Sequence, residues 1–172
     1  MLKILGAALV VGVCTICGLT IANNYRQRSL ELRNLRSVLN LLETEIVYTE
    51  TPLPFALEKI AKHAISPINK LFDNARNQLI SGNGITADEA WQEAINSFQL
   101  FCCLVEEDIG IIRSFGAGLG CSDKTEQLKN IQLTKELLKQ QEIKAEMNRN
   151  QHERLWRTMG VLVGLAIVLL IY

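Results

Sequence analysis

Two stretches without a charged residue, 4–22 and 158–172, close this chain at its two ends, and almost every charge lies between them. At 1.5 Å per residue the first makes a helix roughly 28 Å long, close to the roughly 30 Å hydrocarbon core of a bilayer. A chain held in a membrane at both ends must return its middle to the side it left. The expected organisation is a transmembrane helix over 2–22, one domain over 23–154 and a second transmembrane helix over 155–172. The second stretch is short, about 22 Å over its uncharged part. Starting it at Leu155 extends it, with Arg157 reaching back to the headgroups and Trp156 and Tyr172 as interfacial anchors.

Charge placement sets the expected orientation. Arg26, Arg28, Arg33 and Arg36 follow the first stretch, and Lys144, Arg149, Arg154 and Arg157 precede the second. Only Lys3 and the terminal amine are positive outside them, so the positive-inside rule puts the central domain in the cytoplasm and both termini outside. A cleaved signal peptide is the rival reading of the N-terminus. Thr20-Ile-Ala22 is a poor small-x-small cleavage site, and cleavage would export the arginine-rich segment, so an uncleaved anchor is preferred. Over the whole chain 18 basic side chains balance 18 acidic ones. That balance argues against nucleic-acid binding, which needs a basic excess on one face.

Nothing between the apolar ends reads as strand. Leu35, Val38, Leu39, Leu42 and Ile46 recur at helical spacing, and no breaker separates them from the first stretch, so one helix runs to about Tyr48. Thr51-Pro52 and Ser66-Pro67 each read as an N-cap followed by proline at the first helical position. Thr86-Ala-Asp-Glu89 reads as a capping box. The helix after it carries Trp91, Ile95, Phe98 and Cys102 on one stripe, with Cys103 adjacent on the same helix. A fifth helix covers Glu106 to Phe115. Gly116, Gly118 and Gly120 break the chain, Ser122 or Asp123 caps a sixth helix, and Gly116 and Gly120 are expected to adopt backbone angles costly to a residue with a Cβ. Leu128, Ile131, Lys135, Leu138, Glu142, Ala145 and Arg149 follow one face of helix six, apolar first and charged toward the membrane. The fold class is all-α: a six-helix cytoplasmic bundle whose first and last helices continue into the two spans.

Candidate chemistry is sparse. Two histidines, no H-x-x-x-H, and no Ser/His/Asp arrangement argue against a metal enzyme or a hydrolase, and no cofactor is implied. The glycines at 116, 118 and 120 resemble a phosphate loop but lack the Lys-Ser/Thr of a Walker motif and follow a helix, so they read as a C-cap and reversal. Cys14 and Cys17 form C-x-x-C inside an apolar helix, and Cys121 stands alone in a loop; all five cysteines read as structural or neutral. Glu106, Glu107 and Asp108 read first as the solvated acidic turn that a helix N-terminus favours. Their functional reading is a docking site for a basic partner on a membrane-distal or lateral surface. Gly160 and Gly164 form G-x-x-x-G, a spacing that lets two membrane helices approach closely, and Ala8/Gly12 and Gly18/Ala22 are the small pairs of the first span.

Several spaced motifs together resemble the stage III sporulation protein AB family. They are the opening Met1-Leu-Lys-Ile-Leu-Gly-Ala7, the segment from Leu35 to Ile46, Tyr48-Thr-Glu-Thr-Pro52-Leu53 and Ala90-Trp91. The most specific is Phe115-Gly116-x-x-Leu119-Gly120-x-Ser122-Asp123-x-x-x-Gln127, and Gly160 to Leu170 matches in character; the cysteine pairs stand outside the pattern. The resemblance implies a component of the secretion apparatus that joins mother cell and forespore in endospore-forming bacteria. The family is similar in turn to the inner-membrane platform proteins of type II secretion and type IV pilus systems. By that likeness the partners are the apparatus ATPase, stage III sporulation protein AA, and other channel components, with homo-oligomerisation left open. The alternative is a membrane-anchored helical regulatory or scaffold protein with no secretion role, and a membrane enzyme is a third reading disfavoured by the missing nucleophile–base set.

Overall fold

A computed structural model describes residues 2–47, 49, 51–81, 84–120 and 123–171. Among them there are six helices and no strand: α1 Leu2–Val47, α2 Leu53–His63, α3 Ile68–Ile80, α4 Ala87–Phe98, α5 Glu106–Gly116 and α6 Lys124–Ile171. The chain divides into two compact units, one made of Met1–Ser29 with Ile143–Tyr172 and the other of Leu30–Glu142. In the first unit, turns of α1 and α6 pair with one another. Tyr25 stacks on His152 with ring centroids 5.4 Å apart, and Ser29 Oγ donates to Glu146 at 2.5 Å.

Among the described residues no helix is long and apolar enough to cross a membrane. Parts of both expected spans, residues 2–5, 7, 8, 161 and 170–172, lie outside the side chains described.

In the second unit the helical stripes bury as their spacing requires. Leu32, Leu35, Leu39 and Leu42 of α1, Leu57 and Ile60 of α2, Leu71 and Phe72 of α3, Trp91 and Ile95 of α4, Ile112 and Phe115 of α5, and Ile131 and Leu138 of α6 form the core. Trp91 lies at its centre, edge-on to both Phe72 and Phe115 with centroids 5.4 Å away. Burying an indole requires a partner for its N–H, and Nε1 donates to the Ile112 carbonyl at 2.7 Å.

Helix starts follow their local chemistry with two exceptions. Thr86 and Glu89 form the expected reciprocal box, Glu89 N–H to Thr86 Oγ1 at 3.2 Å and Thr86 N–H to Glu89 Oε2 at 2.7 Å. Pro52 and Pro67, however, are themselves the N-caps of α2 and α3, with no side-chain cap at either. Thr51 turns instead to α1, where its hydroxyl donates to Glu45 Oε2 at 2.8 Å and Lys59 Nζ reaches the same oxygen at 2.7 Å. The Lys59 ammonium, with the threonine hydroxyls, holds the Glu45 carboxyl below its usual range. A further correction concerns the end of α4 at Phe98, so Cys102 and Cys103 lie in the 99–105 connection and not on a helix.

Candidate functional site

In the first unit α1 and α6 touch through glycine. A Cβ added to Gly18 would sit 2.7 Å from the Trp156 carbonyl oxygen and 3.0 Å from Gly160 Cα. One on Gly160 would meet the Cys14 carbonyl oxygen at 2.9 Å, and one on Gly164 would meet Val11 Cα at 3.0 Å. Such backbone-to-backbone approach excludes a side chain at Gly18 and Gly160, while at Gly164 the neighbour need give by only a few tenths of an ångström. Gly12 has nothing within 4 Å, and Ala8 lies outside the described side chains, so of the small residues noted in α1 it is Gly18 and buried Ala22 that occupy the packed face. The remaining faces expose large apolar groups, among them Leu9, Ile16, Leu155, Leu162 and Leu169, the last 80 % exposed.

The α5–α6 connection is built around three glycines with three different reasons. Gly120 has φ +83°, a left-handed angle, and a Cβ there would also lie 2.9 Å from Ala87 Cβ. Gly116 ends α5 and is required by packing rather than by its backbone angle, since a Cβ would lie 2.5 Å from Trp91 Cδ1 and 2.8 Å from Asp88 Oδ1. Gly118 is overlain by the Asn130 side chain, whose Nδ2 donates to the Phe115 carbonyl at 2.9 Å. Asp123 Oδ1 accepts from Thr125 N–H at 2.9 Å and so caps α6, while Ser122 lies outside the described residues. The space bounded by Ile46, Leu53, Phe115, Leu119 and Gln127 measures only ≈ 10 Å³, at the lower limit for one water. The amides of Gly118 and Leu119 are spent on the carbonyls of Phe115 and Gly116. Among the described residues this turn therefore offers neither the Gly118 nor the Leu119 amide to a ligand.

The acidic run separates into two kinds of carboxylate. Glu106 and Glu107 are exposed, with Gln141 Nε2 of α6 donating to Glu107 at 3.3 Å. Asp108 is fully buried and accepts from the Val105 N–H at 3.0 Å, satisfying an orphan donor of α5, so it is not available to a partner. Facing it is a residue the sequence reading passed over. Glu31 is buried on α1, accepts the Cys103 N–H at 2.9 Å, and has its carboxyl raised to about 7. Burial is the main cause; the Cys103 amide opposes it and the Asp108 charge adds to it. Its position four residues before Leu35, in register with the buried stripe, was the signal that could have found it.

The remaining reactive side chains do not converge on one site. His63 Nδ1 lies 2.7 Å from the Lys59 carbonyl and His152 Nδ1 3.0 Å from that of Asn148, each a contact within its own helix. Burial pushes the Cys102 and Cys103 thiols up, away from nucleophilic thiolate. Cys14 sits against Gly160 and Gly164, Cys17 is exposed, and Cys121 lies outside the described residues. Among the described residues no group of three His, Cys, Asp or Glu could hold a metal ion.

Comparison with known proteins gives consistent matches. The family model described as "Stage III sporulation protein AB (spore_III_AB)" matches residues 3–172. Stage III sporulation protein AB of Bacillus subtilis (strain 168) is 34% identical over 171 residues, covering 99% of each chain. A solved structure of stage III sporulation protein AB aligns with a TM-score of 0.68 at 32% identity, covering 73% of this chain and 98% of the other.

Proposed function

This chain belongs to the stage III sporulation protein AB family, and we propose that it is a membrane-anchored, non-catalytic platform of the sporulation secretion apparatus that docks a secretion-type ATPase. Family membership supports the sporulation role and a place in a sporulation complex. The observation that carries the membrane half is the first unit. Its helices pack through Gly18, Gly160 and Gly164 while turning Leu9, Ile16, Leu155, Leu162 and Leu169 outward. In water such a two-helix surface would be an aggregation site, whereas hydrocarbon is its natural solvent. The uncharged sequences 4–22 and 158–172 and the arginines on their inner flanks support the same setting, with the second unit in the cytoplasm on the mother-cell side and both termini outside.

What supports the absence of chemistry is the state of the polar groups themselves. The space behind the glycine turn is too small for a phosphate, burial raises the Cys102 and Cys103 thiols away from thiolate, and the histidines bond to their own helices. Glu106 and Glu107 are left as a lateral acidic pair able to steer a basic partner such as stage III sporulation protein AA. Crosslinking the full chain in sporulating cells and identifying what it captures tests the reading. Recovery of the ATPase supports the platform, and capture of other partners alone would favour a regulatory scaffold.

A further inference from the structure

The balanced charge of the whole chain conceals a division between its two units. The first holds seven of the lysines and arginines but only two carboxylates, Glu146 and Glu153, so the compensating acidic excess lies in the second. Both carboxylates are committed to a single cation: Arg149 Nη1 donates to Glu146 at 3.0 Å and its Nε to Glu153 at 3.2 Å. Arg28 and Lys144 have partners of their own. Arg154 and Arg157 are different. Both are exposed, and among the described residues neither has a carboxylate partner. They lie three positions apart on α6 and line one open groove with Asn150, Thr158 and the Arg149–Glu153 pair. Thr158 Oγ1 donates to the Arg154 carbonyl at 3.0 Å, which leaves the two guanidinium groups and the exposed Asn150 amide as donors. The groove also has a fixed level within the first unit. His152 stacks on Tyr25 and Gly160 meets Gly18, so Arg154 and Arg157 lie level with residues 18–25, where the uncharged stretch 4–22 ends.

We propose that this groove binds the headgroup phosphate of an anionic phospholipid such as phosphatidylglycerol, held by Arg154 and Arg157 with Asn150 beside them. The inference rests on the membrane reading of the first unit, and adds to it a lipid preference and the residues that set it. A guanidinium group meets phosphate through two parallel N–H donors, and each basic side chain at an anionic leaflet adds to the attraction. Two such groups without a protein carboxylate, about one turn apart, can share one headgroup. Arg149 already serves two glutamates and contributes only by cancelling the charge of Glu153 on the groove wall. An acidic protein segment would meet the same cations, and Ile143 and Met147 lie exposed farther back along α6. On the other side of the arginines, however, Leu155, Trp156, Met159 and Leu162 are exposed and continue into a sequence with no charge at all. That surface suits the acyl chains that hang from a headgroup and offers an acidic peptide nothing polar to follow. Arg26, on α1, is exposed but does not line the groove, so it serves as the control.

Exposed Trp156, between the two arginines in sequence, is a built-in reporter. The full chain is placed in bilayers of equal phosphatidylcholine and phosphatidylglycerol, with bromine on the acyl chains of one lipid at a time. Trp156→Phe leaves buried Trp91 as the baseline. Phosphatidylglycerol-borne bromine should quench Trp156 at least about threefold more effectively than phosphatidylcholine-borne bromine. Arg154→Gln with Arg157→Gln should make the two lipids equal, while Arg26→Gln keeps the preference. Equal quenching in the native chain overturns the proposal and hands the groove to an acidic protein, with the membrane reading intact. A preference lost as fully to Arg26→Gln also overturns it, leaving only diffuse charge. So does a preference abolished by inorganic phosphate at constant ionic strength, which would assign the groove to a free anion. If neither lipid quenches Trp156, the membrane reading itself falls and takes the lipid site with it.

Discussion

Gly116 approaches Trp91 so closely that a single methyl group on the glycine would sit 2.5 Å from indole Cδ1. The indole cannot retreat, because its N–H is committed to the Ile112 carbonyl and it packs in edge contacts with Phe72 and Phe115. Gly116→Ala should therefore destabilise the chain by about 1–3 kcal/mol, the usual cost of overpacking a filled core. Chemical denaturation of the full chain in mild detergent, followed by Trp91 fluorescence, measures it. An unchanged midpoint would mean that the α4–α5 contact has slack.

At Gly120 the cost arises from the backbone. Its φ of +83° is unfavourable to any side chain by about 1–2 kcal/mol, and Ala87 crowds the same position. Gly120→Val should lower the melting temperature more than Gly120→Ala. Equal melting with loss of partner capture would instead identify the turn as a contact surface.

Glu31 gives the fold a pH dependence of predictable sign. Its carboxyl is raised to about 7 in the folded chain from an ordinary 4.5, so the folded state holds the proton more tightly than the unfolded one. The associated stability is fully present below the unfolded value and is lost as pH rises through about 7. Glu31→Gln keeps an acceptor for the Cys103 amide without the charge. It should flatten the decline in stability across this window and raise stability above it by up to about 3 kcal/mol. Denaturation midpoints of both proteins across the range decide the matter, and parallel curves would refute it.

The α1–α6 contact can be locked covalently. A Cβ on Gly164 would lie 3.3 Å from Cys14 Cβ, near the range of a disulfide. Gly164→Cys should crosslink to Cys14 on mild oxidation, seen as loss of both thiols to maleimide labelling and their return on reduction. Persistent labelling would show that the helices are not paired in this register.

Reversing the exposed acidic pair, Glu106→Lys with Glu107→Lys, should weaken capture of the ATPase and blunt its salt sensitivity, at a cost of about 1–2 kcal/mol in stability for the two first-turn charges that α5 loses. Undiminished capture would remove these residues from the docking surface.

Much of the fold was legible because helices announce themselves locally. The Thr86–Glu89 box, the Asp123 cap and the buried stripe from Leu35 to Leu42 involve residues no more than a turn or two apart. The misreadings share the opposite property. Phe98 is followed by no proline or glycine, so nothing local marked the end of α4, and Cys102 was extended along its stripe. Asp108 looks like any first-turn carboxylate until Glu31, 77 positions earlier, is seen buried against the same connection. Thr51 looked like a cap because its carboxylate partner belongs to another helix.

The first and last helices of the second unit are bonded to each other: Lys135 to Glu43 at 2.6 Å, and Arg33 to Glu142 at 3.0 Å. During synthesis the ribosome delivers α1 first, and its partner arrives only after about a hundred further residues, a delay of roughly 5–20 s at the usual bacterial pace. Throughout that interval Arg33 and Glu43 of α1 have no α6 partner. Early anchoring of the amino-terminal segment would keep the nascent domain tethered to one place while it waits. A version with its helices permuted so that α6 is made directly before α1 should be less dependent on chaperones, even though its finished contacts are the same.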